Sequence, residues 1–154
     1  MTQIVEKSLQ PLTAAQVKTL ATDESVFILD CRPAGEFVQG HVPHSVWVPL
    51  EMTFAIWAAF VVDPRKGEKV VLVTPPGKEK EAVTRLTRTG IDCVVGFLDG
   101  GIDSWKQAGF EIATTKVVDY NSPEEFKNKT DDYKIVDVRN LGEWKSGVLE
   151  NATL

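Results

Sequence analysis

The sequence predicts an α/β fold in which helices cover both faces of a parallel sheet. Two observations predict it. Strand and helix signals alternate along the chain, and the strand segments are apolar throughout instead of at every second residue. The length of 154 residues leaves room for one full domain and part of another.

The predicted elements begin with a helix over 11–21, for which Thr13 is the N-cap candidate. The remaining elements, in chain order, are a strand at 26–30, a short strand at 45–48, a helix at about 54–62, a strand at 69–73, a helix from about 77 to 88, a strand at 93–97 and a short helix at 100–109. Trp47, Trp57 and Trp105 fall at apolar positions of these elements, so we expect them in the core.

The strand–turn motif at Asp30 recurs at Asp137, an offset of 107 residues. With this offset, residues 27–47 align with residues 134–154, and six of the 21 pairs are identical. The identical pairs are Ile28/Ile135, Asp30/Asp137, Arg32/Arg139, Gly35/Gly142, Glu36/Glu143 and Gly40/Gly147. The match indicates an internal repeat.

The repeat predicts a complete domain at 1–113 and the N-terminal third of a second domain at 114–154. A third of a domain cannot bury its apolar faces by itself, so we expect the chain to be a fragment of a longer protein. The apolar strand predicted at 133–138 should pack on the first domain or pair between chains, which would give a homo-oligomer.

Composition excludes several classes of partner. A net charge of −5, with an isoelectric point near 5.1 and no Lys/Arg cluster, indicates that neither nucleic acid nor a membrane surface is bound. The longest apolar run, Phe54 to Val62, is too short to span a bilayer. Cys31 and Cys93 form no CxxC pair, which favours a reducing compartment, and a cytoplasmic location is expected.

Two motifs carry a resemblance to a known family. The pattern D-x-R-x-x-x-E-aromatic-x-x-G-H-V-P begins at Asp30, and "FLDGGIDSW" spans Phe97 to Trp105. Together they resemble the rhodanese-like domain family over about residues 12–110, and the resemblance starts again at Val117. It implies a doubly wound domain with a five-stranded parallel sheet.

A narrower resemblance rests on two stretches of sequence, Pro49 to Asp63 and Gly96 to Gly101. They are similar to tandem rhodanese repeats of multidomain bacterial proteins that carry a metallo-β-lactamase-fold persulfide dioxygenase. The dioxygenase needs several His and Asp metal ligands, and this chain has two histidines.

The resemblance also implies where an active site would be. In active members a cysteine begins the loop after the fourth strand, and the backbone amides of the next five residues point inward. Gly77 sets the register and places Thr74 at the nucleophile position. The loop here reads Thr74, Pro75, Pro76, Gly77, Lys78, Glu79.

This loop lacks what sulfur transfer requires. A threonine hydroxyl cannot form a persulfide, and its pKa lies far above that of a thiol. Pro75 and Pro76 have no N–H to donate, and Glu79 adds a negative charge where an anion would bind. We therefore expect the loop to be catalytically inactive. An anion-binding or phosphatase-like site on it is a further alternative, weakened by the same residues.

Two other features admit a catalytic or a structural interpretation. Cys31 follows the first long strand at the sheet edge where α/β sites occur, so it is the fallback nucleophile; the alternative is a buried core thiol, which is also the interpretation favoured for Cys93. His41 and His44 could ligate a metal, but no carboxylate or thiol cluster joins them, and a turn histidine bonded to backbone is favoured. No metal or other cofactor is expected.

The charged residues of the repeated motif favour a structural role, because both copies need the same turn. Asp30 can cap the turn, and Arg32 can pair with Glu36 at i, i+4. The full structural motif is Asp30, Arg32, Glu36, Gly40, His41, Asp137, Arg139, Glu143.

The resulting hypothesis is a catalytically inactive rhodanese-like domain with a structural or docking role in a multidomain protein of sulfur metabolism. The parent protein would be related to thiosulfate sulfurtransferases or persulfide dioxygenases, and the partners would be its own neighbouring domains. The alternative hypothesis is an active sulfurtransferase that carries persulfide sulfur on Cys31.

Overall fold

Alternating strands and helices build the first of two units into which the chain divides, Met1–Lys116 and Val117–Leu154. A computed structural model describes residues 2–51, 53–117, 136–148 and 152–153. The elements of the first unit are α1 (Thr2–Ser8), β1 (Pro11–Leu12), α2 (Ala14–Leu20), β2 (Val26–Asp30), α3 (Ala34–Gln39), β3 (Val46–Trp47), α4 (Phe54–Val61), a 3₁₀ turn (Pro64–Lys66), β4 (Lys69–Val73), α5 (Glu79–Arg88), β5 (Val94–Leu98) and α6 (Gly101–Gln107).

The five strands form one sheet in the order β1-β5-β4-β2-β3. All neighbouring strands are parallel, and β2 and β4 pair over their full length, from Val26 with Lys69 to Asp30 with Val73. The predicted α/β class with a five-stranded parallel sheet is confirmed. In such a sheet the carboxyl ends of β2, β4 and β5 meet at one edge, and that edge positions the candidate site.

Helices cover both faces of the sheet, as predicted, because successive strand residues point to opposite sides. On one face Leu29, Val70 and Leu72 pack against α1, α4 and α5. On the other face Val71 and Val73 pack against α2 and α6. Two separate apolar clusters therefore hold the sheet in place.

The N-terminal segment differs from the prediction. Leu12 was expected in a helix but lies in β1, where it pairs with Leu98, and α1 was not predicted. A two-residue strand has no periodicity that a sequence pattern could reveal. A Cβ atom at Gly96 would lie 2.5 Å from the Gln10 carbonyl oxygen, so the glycine in β5 allows this close approach. The predicted N-cap is confirmed, because Thr13 forms a capping box with Gln16.

The tryptophans divide between core and surface. Trp105 is buried, as predicted, but the core prediction is wrong for Trp47, which is 39% exposed, and for Trp57, which is 60% exposed. Helix α4 turns Phe54 and Ala58 to the core, so Trp57 lies on another face of the helix. Because α4 is apolar on all sides, its sequence does not indicate which face is buried.

The second unit contains one described helix, α7 (Leu141–Trp144), which begins at a capping box formed by Asn140 and Glu143. An isolated parallel bridge joins Val136 to Thr153. The first half of the strand predicted at 133–138 lies outside the described residues. In the part of the chain that the structure describes, no helix has both the length and the apolar character needed to cross a bilayer.

Candidate functional site

The loop from Thr74 to Glu79 connects the carboxyl end of β4 to the first residue of α5. Thr74 is buried, whereas Pro76, Gly77 and Lys78 are exposed. The Lys78 amide donates to the Pro75 carbonyl at 3.1 Å and closes a tight turn. Gly77 adopts a φ of 78°, a left-handed conformation that glycine accepts at little cost.

The carboxylate of Glu79 lies inside this loop. Its Oε1 atom accepts a hydrogen bond from the Gly77 backbone N–H at 3.2 Å and one from the Thr74 hydroxyl at 3.3 Å. Pro75 and Pro76 contribute no N–H donors. The Thr74 hydroxyl and the Gly77 amide are therefore directed at a negative charge that belongs to the chain itself.

The loop forms one wall of a cleft of about 400 Å³ at the carboxyl edge of the sheet. Arg32 and Glu36 reach it from the β2–α3 segment, and Asp99 and Asp103 reach it from the end of β5 and the start of α6. The structure thus brings together loop residues and motif residues that are far apart in sequence. Asp99 and Asp103 were not singled out from the sequence, although both lie in the "FLDGGIDSW" motif that was.

The cleft is acidic. Its lining contains four carboxylates, from Glu36, Glu79, Asp99 and Asp103, and one cationic side chain, Arg32. Lys78 does not line the cleft; its ammonium lies 2.8 Å from a carboxylate oxygen of Glu81. The electrostatic field of such a cleft opposes the entry of an anion.

Arg32 forms a buried ion pair with Asp30. Its Nε donates to Asp30 Oδ1 at 2.9 Å and its Nη2 donates to Oδ2 at 2.6 Å, and Nη2 also donates to the Gly40 carbonyl at 2.9 Å. The pairing of Arg32 with Glu36 was predicted wrongly. Arg32 precedes α3, which begins at Ala34, so the i, i+4 helical geometry does not apply to it.

The turn is closed by two further contacts with backbone. The Asp30 carboxylate accepts from the Arg32 amide at 3.1 Å, and the Trp47 indole N–H donates to the Arg32 carbonyl at 2.9 Å. The His41 Nδ1 lies 2.8 Å from the Phe37 carbonyl oxygen, and the two rings stack with centroids 3.8 Å apart. These bonds fix the shape of the turn beside the cleft.

Cys31 does not line the cleft. Its side chain is 1% exposed and packs in the core on the α1/α4/α5 face of the sheet. Burial, and to a smaller extent the Asp30 charge, raise the pKa of its thiol well above the ordinary value. Cys93 precedes β5 at the opposite end of the strand, and burial likewise raises its pKa. Neither environment stabilises a thiolate.

Metal-binding geometry is also missing from the part of the chain that the structure describes. There, no group of three or more His, Cys, Asp or Glu side chains is arranged to hold a metal ion.

Comparison with known proteins agrees with the fold. The family model described as "Rhodanese-like domain" matches residues 13–108. No curated protein sequence matches the chain. A thiosulfate sulfurtransferase from Pseudomonas aeruginosa is similar in structure, with 20% identity, a TM-score of 0.59, and a match that covers 96% of this chain and 34% of that one.

Two further solved structures are also similar to this chain. The Alr3790 protein from Anabaena sp. has 22% identity and a TM-score of 0.57, and the match covers 66% of this chain and 79% of that chain. A rhodanese-related protein from Thermoplasma volcanium has 21% identity and a TM-score of 0.54, covering 68% of this chain and 97% of that one. At these identities the structural likeness concerns the fold alone. Since the family model matches more than half of the residues, the chain belongs to the rhodanese-like domain family.

Proposed function

We propose that the first unit is a rhodanese-like domain without sulfurtransferase activity. The observation that carries the proposal is the content of the loop after β4. A threonine stands at the nucleophile position, and the Glu79 carboxylate accepts the hydrogen bonds that the Thr74 hydroxyl and the Gly77 amide can donate.

The chemistry of sulfur transfer explains why this content matters. A thiolate attacks the outer sulfur of a donor such as thiosulfate, sulfite leaves with the electrons of the broken S–S bond, and the enzyme retains a persulfide. An oxygen nucleophile cannot store sulfur in this way. The donor is also an anion, and the carboxylates of Glu36, Glu79, Asp99 and Asp103 repel it from the cleft.

A cysteine restored at the loop tests this proposal. The readout is thiocyanate formed from thiosulfate and cyanide, with intact mass as a second readout for a retained sulfur atom. We expect no turnover above the blank for the natural chain and little for Thr74→Cys alone. The double variant Thr74→Cys/Glu79→Ala should gain turnover, because it adds a thiol and also removes the charge that occupies the loop.

Thr84→Cys is the matched control, because it introduces a thiol on α5 outside the cleft lining. It should stay inactive. Turnover by the natural chain that disappears in Cys31→Ser would contradict the proposal and support the alternative, a sulfurtransferase that uses Cys31. The burial of Cys31 and the raised pKa of its thiol weigh against that alternative.

We also propose that residues 114–154 begin a second rhodanese-like copy. The support is local geometry: Arg139 donates to both carboxylate oxygens of Asp137 and to the Gly147 carbonyl, the same set of bonds that Arg32 makes with Asp30 and Gly40. The likeness to the thiosulfate sulfurtransferase extends over 96% of the chain. Sequencing of the gene beyond Leu154 tests this, since a second copy would place its own loop 107 residues after Thr74.

For a domain without turnover we propose a structural role, in which it spaces or presents neighbouring domains of a longer, cytoplasmic protein of sulfur metabolism. We propose further that this longer protein is related to thiosulfate sulfurtransferases or to proteins that contain a metallo-β-lactamase-fold dioxygenase. Replacing the first unit by a flexible linker of equal span should lower the parent's turnover. An unchanged turnover would contradict the structural role.

A further inference from the structure

A recess on the α2/α6 face of the sheet plays no part in the function proposed above. It has a volume of about 300 Å³, at the lower end of the range for small-molecule sites. Residues of α2, β2, the turn after α3 and the end of α6 surround it. Among the described residues, none lines both this recess and the cleft beside the β4–α5 loop, so the two are separate.

The interior of the recess is apolar and aromatic. The buried residues Ile28 and Val42 line its inner part. The rings of Trp105 and Phe110 form one wall, where they pack edge to face with centroids 5.0 Å apart. The Trp105 indole N–H already donates to the Glu111 carbonyl at 2.8 Å, so this wall presents ring surface to a ligand. Such a lining favours a flat, apolar molecule.

A cation lies against the aromatic wall. Lys18 lines the recess, and its ammonium lies over the face of the Phe110 ring, 4.2 Å from the centroid. Among the residues that the structure describes, no carboxylate forms an ion pair with Lys18. A cation of this kind beside apolar ring surface is complementary to the anionic group of an aromatic acid.

His44 supplies a second polar group at the recess. Its φ of 62° is the one positive value among the non-glycine residues that the structure describes. The Ser45 amide donates to the Val42 carbonyl at 3.1 Å, and this bond closes the turn that holds His44. Non-glycine residues uncommonly adopt this conformation, and such positions are more frequent at binding sites. The imidazole can donate a hydrogen bond to a carboxylate.

A carboxylate at the same recess limits the charge of the ligand. Glu111 is exposed and contributes to the lining. Its charge offsets part of that of Lys18, so a ligand with one negative charge is favoured over a ligand with two. The net charge of −5 belongs to the whole chain, and charges beyond roughly 8 Å are screened at physiological ionic strength. The side chains at the recess therefore decide the selectivity.

We propose that the recess is a binding site for a planar aromatic monocarboxylate. The ring of the ligand lies against Trp105 and Phe110, and its carboxylate pairs with the Lys18 ammonium and accepts a hydrogen bond from His44. The site is independent of the absence of sulfurtransferase activity proposed above, because it uses none of the residues of the cleft.

Titration of the full chain with 2-naphthoate, followed by ¹H–¹⁵N NMR, tests the proposal. The Trp105 indole N–H signal should shift, with a dissociation constant on the order of 1 mM for a ligand of this size. The indole signals of Trp47 and Trp57, which lie outside the recess, should stay unchanged. The neutral probe 2-naphthalenemethanol has the same rings and should bind about threefold to fivefold more weakly, as expected for the loss of one exposed ion pair.

Three variants test the assigned side chains. Lys18→Gln should remove the preference for 2-naphthoate over the neutral probe. Lys80→Gln, the matched change at an exposed lysine of α5, should keep that preference. His44→Gly accepts the left-handed backbone and lacks the imidazole, so it should weaken binding of 2-naphthoate at least about twofold. Unchanged amide signals away from the recess establish that each variant is folded.

Several results would overturn the proposal. One is an unshifted Trp105 signal at 2-naphthoate concentrations about tenfold above the expected dissociation constant. Another is equal binding of the neutral probe, which would make the recess an apolar surface without selectivity for an anion. A third is an equal loss of preference in Lys80→Gln, which would assign the effect to overall charge. The last is a set of shifts centred on Gly77 and Gly100, which would place the probe in the cleft.

Discussion

The turn after β2 and the turn before α7 contain the same ion pair in different surroundings. Arg32 and Asp30 are joined by hydrogen bonds of 2.9 and 2.6 Å, and Arg139 and Asp137 by hydrogen bonds of 3.0 and 2.7 Å. The side chains of the first pair are 4% and 0% exposed, whereas those of the second are 42% and 11% exposed. The comparison indicates that the geometry of the pair is set by local sequence and that its burial is set by the sheet around it.

A glycine lies eight residues after the arginine in each turn, and the two glycines also differ in their surroundings. Gly40 and Gly147 each accept a hydrogen bond from the arginine through their carbonyl group. A Cβ atom at Gly40 would lie 3.0 Å from the Ile112 side chain, so any larger residue there would require Ile112 to shift. Gly147 has open space around it but a φ of 117°, so its backbone conformation is what favours glycine. The glycines of the two turns are thus favoured for different physical reasons.

The largest effect is expected when the buried arginine is removed. Arg32→Ala leaves the Asp30 carboxylate buried without its partner, and such a loss costs about 3–5 kcal/mol of unfolding free energy. Arg139→Ala, the matched change in the exposed pair, should leave the unfolding free energy nearly unchanged. Urea denaturation of both variants measures the difference. Equal losses would show that burial does not distinguish the two turns.

A smaller loss of unfolding free energy is expected when residue 32 keeps its positive charge but loses the planar guanidinium group. Arg32→Lys retains a cation, but one ammonium cannot reproduce the fork that bonds both Asp30 oxygens and the Gly40 carbonyl. A buried acceptor left unpaired costs about 1–3 kcal/mol. The same substitution at Arg139 should be silent in urea denaturation, because water can replace the lost bonds. If Arg32→Lys left the unfolding free energy unchanged, the positive charge alone would be sufficient to stabilise the buried turn.

The smallest effect concerns protonation of the exposed pair. Hydrogen bonds from the Arg139 side chain, and then from its backbone amide, lower the pKa of Asp137 below its ordinary value of 3.8. A depressed carboxyl pKa contributes stability above the unfolded pKa, and this contribution is lost as the pH falls through the folded pKa. An NMR titration of the Asp137 carboxyl carbon should show the low pKa, and Arg139→Ala should return it towards 3.8. An unshifted pKa in the natural chain would mean that the pair is absent in solution.

The sequence predicted the elements that have a long apolar run or a helix cap formed by neighbouring residues. The apolar runs predicted β2 and β4, and Thr13 predicted the N-cap of α2, because an N-cap depends on residue type at one local position. Strand β1 was not predicted, because a strand of two residues has no sequence pattern. It is identified only by the pairing of Pro11 with Phe97 and of Leu12 with Leu98.

The acidity of the cleft was only partly predictable. Glu79 could be placed in the loop from sequence, because a strand, a turn and a helix follow one another there. Asp99 and Asp103 join it only because β5 lies next to β4 in the sheet, and strand order is not encoded in any local pattern. The exposed face of α4 was unpredictable for a related reason, since a helix that is apolar on all sides gives no sign of which side meets the sheet.

The carboxylate in the loop has a consequence for selectivity. Because Glu79 is part of the chain, its effective concentration at the Gly77 amide is constant and at least about millimolar, whatever the composition of the surroundings. A free sulfate, phosphate or thiosulfate ion must compete with a ligand that never diffuses away. An external anion therefore gains these two hydrogen bonds only by displacing Glu79, which lowers its apparent affinity for the loop.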